Sequence, residues 1–456
     1  MAFNDLAFVF IFFPAVLLIH GLMPMIGKNL VLLVFSLLFF TWGSPDYLLL
    51  LILVILFNYF SGLQIGAQKE ENRAGAAKFT LITAVVANLL LLGFFKYWGF
   101  VVENVNALLG TSIPVRQLSM PLGISFFTFS VLSYLFDVYR GKAPAAANIL
   151  EFSLFVSFFP KLVSGPIVQY ADFETQLYER KLTDAKFGNG CRMFLIGLAK
   201  KVLLANAIGA LWDAQLAAQS AGTLTVVGGW LGLAAYSFQI YFDFSGYSDM
   251  AIGLGKMFGF HFLENFDYPY ISASVSEFWR RWHMSLGQWF RDYVYFPLGG
   301  SRVKTKARLV FNLFVVWALT GIWHGASWNF VFWGLMYFVL LTFEKLTGVP
   351  QKFASFWTRG LYRVFTLLCV VIGWVFFRAE TMGAGVQFVS DMFGIGGREL
   401  LCAMAIRDYH QYRWFFLGAA LCSIPIFRWA KGKLEQRGKG LGTAVEFLTV
   451  PVYLFL

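Results

Sequence analysis

Apolar runs about as long as a bilayer is thick recur along this chain, and they restrict its fold more than any other feature. A helix crosses the hydrocarbon core in about 17 to 25 apolar residues, with its backbone N–H and C=O groups bonded inside the segment. Runs of that kind lie near 7–26, 47–66, 79–101, 119–138, 150–168, 190–212, 223–244, 309–323, 326–343, 361–377 and 414–428. They predict an all-α, polytopic membrane protein with about eleven transmembrane helices. Shorter runs at 30–41, 248–262 and 441–456 read as re-entrant, tilted or partial segments. The first run, from Ala7 to Ile26, lies between Asp5 and Lys28 and lacks the basic leader and small-residue cleavage site of a signal peptide, so it reads as an uncleaved span.

Only 13% of the residues are charged, against about 25% in a soluble domain, so lipid is the main solvent. The formal charge of +11 follows from basic residues gathered on the cytoplasmic side, and with no soluble domain to present a basic face it does not indicate nucleic acid. Seven basic residues from Arg280 to Arg308, and a second group from Arg428 to Lys439, are expected in the cytoplasm. Asp5 and Lys28 put the amino terminus outside by the same rule. Cys191, Cys369, Cys402 and Cys422 are isolated in or beside apolar runs, which suits small core residues rather than zinc ligands or a redox dithiol. No fixed-period repeat or long polar stretch divides residues 1–456, which read as a single membrane domain.

Residues 272–306 are too polar to span yet rich in aromatics. Trp279, Trp282, His283, Leu286, Trp289 and Phe290 recur at helical spacing while Arg280, Arg281, Gln288 and Arg291 fall mostly elsewhere, the pattern of an interfacial amphipathic helix. His283 would point into the protein from such a helix, where an ionisable group is costly unless hydrogen-bonded or used. His20, His261 and His410 are compatible with helix-packing roles. His324 differs: in Thr320-Gly321-Ile322-Trp323-His324-Gly325-Ala326-Ser327-Trp328-Asn329 it stands at the junction of two apolar runs between glycines. An enclosed, partly hydrated imidazole there suits a general base that takes a proton from an attacking hydroxyl and returns it to a leaving thiolate. Asp243 and Asp249, six residues apart, do not share a helix face and read as polar packing rather than a metal site.

Five ordered blocks resemble the membrane-bound O-acyltransferase family, and within it the bacterial alginate and peptidoglycan O-acetyltransferase branch. They are Pro121-Leu122-Gly123-Ile124-Ser125-Phe126-Phe127-Thr128-Phe129, Phe159-Pro160-Lys161-Leu162-Val163-Ser164-Gly165-Pro166-Ile167, Tyr241-Phe242-Asp243-Phe244-Ser245-Gly246-Tyr247-Ser248-Asp249, the stretch Glu277–Arg302, and Gly321–Asn329. The resemblance implies that His324 is the catalytic base and that His283 assists or orients. Trp323 and Asn329 beside the base, and Arg280 and Arg281 in the basic segment, become candidate substrate-binding residues. One departure stands at Tyr337, where many relatives carry a further histidine; a phenol does not repeat its proton transfer at neutral pH.

The resemblance further implies helices around a central tunnel and acetyl-CoA as a cytoplasmic donor substrate, with no other cofactor. It also implies an extracytoplasmic partner of the SGNH esterase-like transferase kind that delivers the acetyl group to a polysaccharide, all at the bacterial inner membrane. A D-alanyl transfer protein for teichoic acid is the rival within the family, and a lipid-linked sugar transporter the rival outside it. The tail Leu448-Thr449-Val450-Pro451-Val452-Tyr453-Leu454-Phe455-Leu456 is similar to a short aromatic carboxyl-terminal motif of members that pass acyl groups outward. On that reading Tyr453 takes the acetyl group as a phenyl ester before relaying it; otherwise it is an interfacial aromatic anchor.

Overall fold

A computed structural model describes residues 2–116, 118–353 and 355–437, so Tyr453 and the 441–456 tail lie outside the described residues. Those residues are helical, with no pairing beyond one antiparallel bridge between Phe266 and Trp282. Among the described residues six helices are long and apolar enough to cross a membrane: Pro45–Glu70, Ala74–Leu109, Asp184–Ser220, Lys306–His324, Trp328–Thr347 and Phe356–Arg378. Phe8–Leu22 and Gly27–Gly43 are shorter apolar helices. The protein is a multi-pass membrane protein.

Several expected runs fold otherwise. The run at 150–168 stops at Ser157, turns at Phe158 and restarts as Phe159–Leu162 with Pro160 in its first turn, where a missing N–H costs nothing. The runs at 223–244 and 248–262 form one helix, Val226–Met257. It continues through Asp243 and Asp249 because Lys201 and Lys200 pair with them, the latter at 2.6 Å. The run at 414–428 ends at Cys422, shortly before Pro425.

The chain forms two compact units, the first of Met1–Cys191 and Met250–Leu263, the second of Arg192–Asp249 and the chain from Glu264 onward. In the first, α1 (Leu48–Glu70) and α2 (Ala74–Leu109) are joined by the buried amides of Asn58 and Asn88, which exchange hydrogen bonds of 3.0 and 2.8 Å. Such a pair holds spans together where lipid gives no hydrophobic drive for helix association. Next comes α3 (Ile124–Arg140), preceded by Gly123 at φ +69. A Cβ there would lie 2.2 Å from the Leu162 carbonyl oxygen, so the first two sequence blocks meet backbone to backbone. Lys161 is buried; its Nζ donates to Ser130 Oγ at 2.9 Å and lies 4.4 Å from the Phe155 ring centre. These blocks fix packing in the first unit.

The second unit contains most of α4 (Val226–Met257), two short helices α5 (Val275–Arg281) and α6 (Met284–Phe290), and the long α7 (Lys306–His324), α8 (Trp328–Thr347) and α9 (Phe356–Arg378). At the crossing of α7 and α8 the two backbones approach closely. A Cβ on Gly321 would lie 2.5 Å from the Phe330 carbonyl oxygen, and one on Gly334 would lie 2.6 Å from that of Trp317. Trp279, Trp317, Trp333, Trp374 and Tyr337 fill the adjoining core.

Candidate active site

The predicted amphipathic helix over 272–306 is not one helix. It breaks at His283, whose backbone is left-handed (φ 47, ψ 53), so α5 and α6 meet at an elbow with the imidazole at the bend. The aromatic side of the expected interfacial helix is turned inward, with Trp282, Trp289 and Phe290 buried. Burial of those large rings outweighs the local cost of a non-glycine residue in the left-handed region, about 1–2 kcal/mol. The start of α5 is held from outside itself: Glu344, buried in α8, accepts from the Val275 and Ser276 N–H groups at 2.7 and 2.8 Å and from the Tyr362 hydroxyl at 2.9 Å. A carboxylate at a helix N-terminus satisfies donors the helix leaves free. Ser274 and Glu277 complete the cap, accepting from Glu277 N–H at 3.0 Å and Ala273 N–H at 2.8 Å.

His283 is buried, and its Nδ1 is 3.1 Å from Asn265 Oδ1. Its ring packs edge-on at 4.6 Å from Phe244, and Nε2 has no hydrogen-bond partner among the described residues. Burial pushes the imidazole down to about 3, so it is neutral at physiological pH. His283 lines a cavity of about 470 Å³ with Trp279, Gln288, Trp317, Arg280 and Arg291. Both arginines are exposed, so the cavity has aromatic walls and guanidinium groups near water. Arg281 does not line it; its guanidinium binds Asp267 at 3.0 Å and Glu277 at 2.9 Å and so braces the elbow.

His324 is the last residue of α7, half-buried, with Gly325-Ala326-Ser327 connecting to α8. A Cβ on Gly325 would lie 2.1 Å from the Phe330 ring, which is why glycine follows the histidine. The imidazole is ringed by Trp323, Trp333 and Phe377, with centroids 4.8, 5.0 and 5.2 Å away. His283 lies 6.2 Å from the Trp323 ring on its side, so one tryptophan stands beside both histidines, 41 residues apart in sequence. His324 does not line the cavity that His283 lines. Asn329 is buried in the first turn of α8 and donates to the Ala379 carbonyl at 2.6 Å, a structural bond. Tyr337 packs at 4.8 Å from Trp279 with its hydroxyl buried and without a partner among the described residues.

Sequence reasoning missed Asn265 and Glu344, which help to hold the elbow, because neither stands in an unusual local pattern. In the described residues no group of three or more His, Cys, Asp or Glu could hold a metal ion.

Comparison with known proteins bears on the same chain segments. Residues 36–382 match the family model described as MBOAT, membrane-bound O-acyltransferase family. A probable alginate O-acetylase of Pseudomonas aeruginosa is 44% identical over 405 residues, 88% of this chain and 76% of that protein. A peptidoglycan O-acetyltransferase of Helicobacter pylori is 35% identical over 433 residues, 88% and 81% of the two chains. A teichoic acid D-alanyltransferase of Bacillus subtilis is 30% identical, covering 72% of this chain and 85% of that one.

Proposed function

We propose, for a chain that belongs to the membrane-bound O-acyltransferase family and is an O-acyltransferase, that it moves an acetyl group from cytoplasmic acetyl-CoA towards an extracytoplasmic polysaccharide. The observation that carries this reading is the pair His283 and His324 beside one tryptophan, Trp323, one of them lining a cavity with aromatic walls and exposed arginines. Those arginines, Arg280 and Arg291, suit the phosphates of the donor, and the aromatic walls suit its less polar thioester arm. His324 acts as general base. A hydroxyl oxygen attacks the thioester carbonyl carbon, its proton passes to the imidazole, the C–S bond breaks, and the imidazolium returns the proton to the thiolate. Trp323, Trp333 and Phe377 pack around the imidazole at near-perpendicular angles and hold its place.

Acetylated polysaccharides in the relatives' names support the acetyl group and the class of acceptor. Purified protein given labelled acetyl-CoA is expected to turn the thioester over and pass the label to a hydroxyl acceptor or to an SGNH-type partner. Turnover only with a D-alanyl-loaded carrier protein would overturn the acetyl reading in favour of the activity named for the Bacillus relative.

The direction of transfer sets a topology. With the donor cytoplasmic and the protein in a bacterial inner membrane, the basic segment that carries Arg280 and Arg291 faces the cytoplasm. Lys304 is exposed, and a cysteine in its place is expected to react with a membrane-impermeant thiol reagent only once the cytoplasmic side is opened. Labelling in intact cells would invert the scheme.

Tyr453 serves as the relay in this proposal, because a phenol is easier to deprotonate than a sugar hydroxyl and its ester is a better acyl donor than an alkyl ester. After exposure to acetyl-CoA without acceptor, the peptide containing Tyr453 is expected to gain the mass of one acetyl group, and to gain none in Tyr453→Phe. A peptide of unchanged mass in the wild type, under conditions where the donor is consumed, would return Tyr453 to an anchoring role.

A further inference from the structure

The bonds around Asn265 decide which nitrogen of His283 carries the proton. The Ser285 backbone N–H can only donate, and it meets the Asn265 amide at 3.1 Å, so the amide atom facing it is the oxygen. The amide nitrogen on the other branch donates to Ser248 Oγ at 3.1 Å, a hydroxyl that accepts in this orientation. The Ser285 hydroxyl also donates to Oδ1 at 2.9 Å. An oxygen with only lone pairs faces His283 Nδ1 at 3.1 Å, so Nδ1 must hold the hydrogen. In a neutral imidazole the other nitrogen is then bare. That nitrogen, Nε2, is buried and has no partner among the described residues, on a side chain that lines the cavity. The backbone closes the clamp: the Asn265 carbonyl accepts from Met284 N–H at 3.0 Å, next to the left-handed His283.

We propose that Asn265 is a positioning residue that locks His283 as the Nδ1–H tautomer, so that Nε2 meets a bound ligand only as a hydrogen-bond acceptor. The ligand group it recognises is therefore an O–H or N–H donor, such as a hydroxyl or an amide of the substrate. His283 does not supply the hydrogen bond that stabilises an oxyanion, because that task needs an N–H at Nε2. This assignment separates the two histidines: His324 exchanges a proton, while His283 holds a hydrogen-bearing group in place. Its catalytic consequence rests on the acyltransfer scheme above; the tautomer itself does not.

The test reads the tautomer directly. Protein labelled with ¹⁵N-histidine in lipid nanodiscs is examined by NMR, with the His283 resonances assigned by their loss in His283→Gln. The wild type is expected to show a protonated Nδ1 and a bare Nε2. Asn265→Leu, which removes the acceptor, is expected to shift His283 towards Nε2–H and to lower kcat about 10- to 100-fold with a much smaller change in KM for acetyl-CoA. Asn265→Asp keeps the acceptor and is expected to keep the Nδ1–H form and to recover most of the lost kcat. A protonated Nε2 in the wild type overturns the inference whatever the activity, as does a tautomer unchanged in Asn265→Leu. Should the leucine variant not fold, the wild-type and aspartate spectra still decide. A wild type with the expected tautomer but no acetyl transfer from acetyl-CoA would retire the proposed reaction and leave the lock standing.

Discussion

His324→Ala is expected to lower acyl transfer by about 100- to 10,000-fold, the range that positioned acid–base groups contribute, while the protein still inserts and purifies at wild-type yield. The two halves of that expectation have separate causes. Catalysis is expected to fall because the rings packed around the imidazole, Trp323, Trp333 and Phe377, exchange no proton at neutral pH. Folding survives because His324 is half-buried at the last position of α7, so truncation opens space at a partly open site rather than a sealed void. His324→Gln keeps the size and a hydrogen-bonding end but not the basicity, and it is expected to be as inactive as the alanine variant. The measurement is single-turnover transfer from labelled acetyl-CoA at saturating donor. Rates near wild type in either variant would remove His324 from the base role, and a loss of folded protein in both would assign it to packing instead.

The helical class and the position of His324 were legible in the sequence because they depend on local information: the length of apolar runs, and a histidine between glycines where two runs meet. The elbow at His283 was not. Helical spacing of Trp279, Trp282, Leu286 and Trp289 continues through it, so periodicity alone predicts one helix; what breaks the helix is a set of bonds to Asn265, Asp267 and Glu344, two of them close by and one 61 residues beyond His283. The same holds for Asp243 and Asp249. Their charges argue against a continuous apolar helix until Lys200 and Lys201 are seen to pair with them from 42 to 49 residues away. Arg280 and Arg281 illustrate the limit most simply: adjacent and chemically identical, one lines the cavity and the other braces Asp267 and Glu277.

Placing a side chain on Gly334 is expected to damage both folding and transfer, although Gly334 carries no chemistry. At this crossing the backbones of α7 and α8 meet at Gly321 and Gly334, with the ideal Gly334 Cβ 2.6 Å from the Trp317 carbonyl oxygen and 3.0 Å from the Gly321 Cα. Both neighbours are backbone, which cannot rotate out of the way, so even a methyl group must push the helices apart. Gly334→Ala is expected to cost about 1–3 kcal/mol, the usual range for overpacking, and Gly334→Leu to prevent stable folding. The separation reaches the site directly, since Gly321 stands one helical turn before His324 and Trp333, next to Gly334, packs against the imidazole at 5.0 Å. Transfer by Gly334→Ala is therefore expected to fall at least about tenfold even where the protein remains folded. Gly93 in α2 provides the contrast, because its ideal Cβ meets nothing within 4 Å. There the same Gly→Ala change is expected to stabilise by about 0.5–1 kcal/mol through reduced backbone freedom, with transfer unchanged. Thermal unfolding in detergent, read beside transfer activity, separates the cases. A Gly334→Ala protein as stable and as active as the wild type would show that α7 and α8 do not depend on this contact, and with it would fall the explanation of how the glycines around His324 hold its imidazole in place.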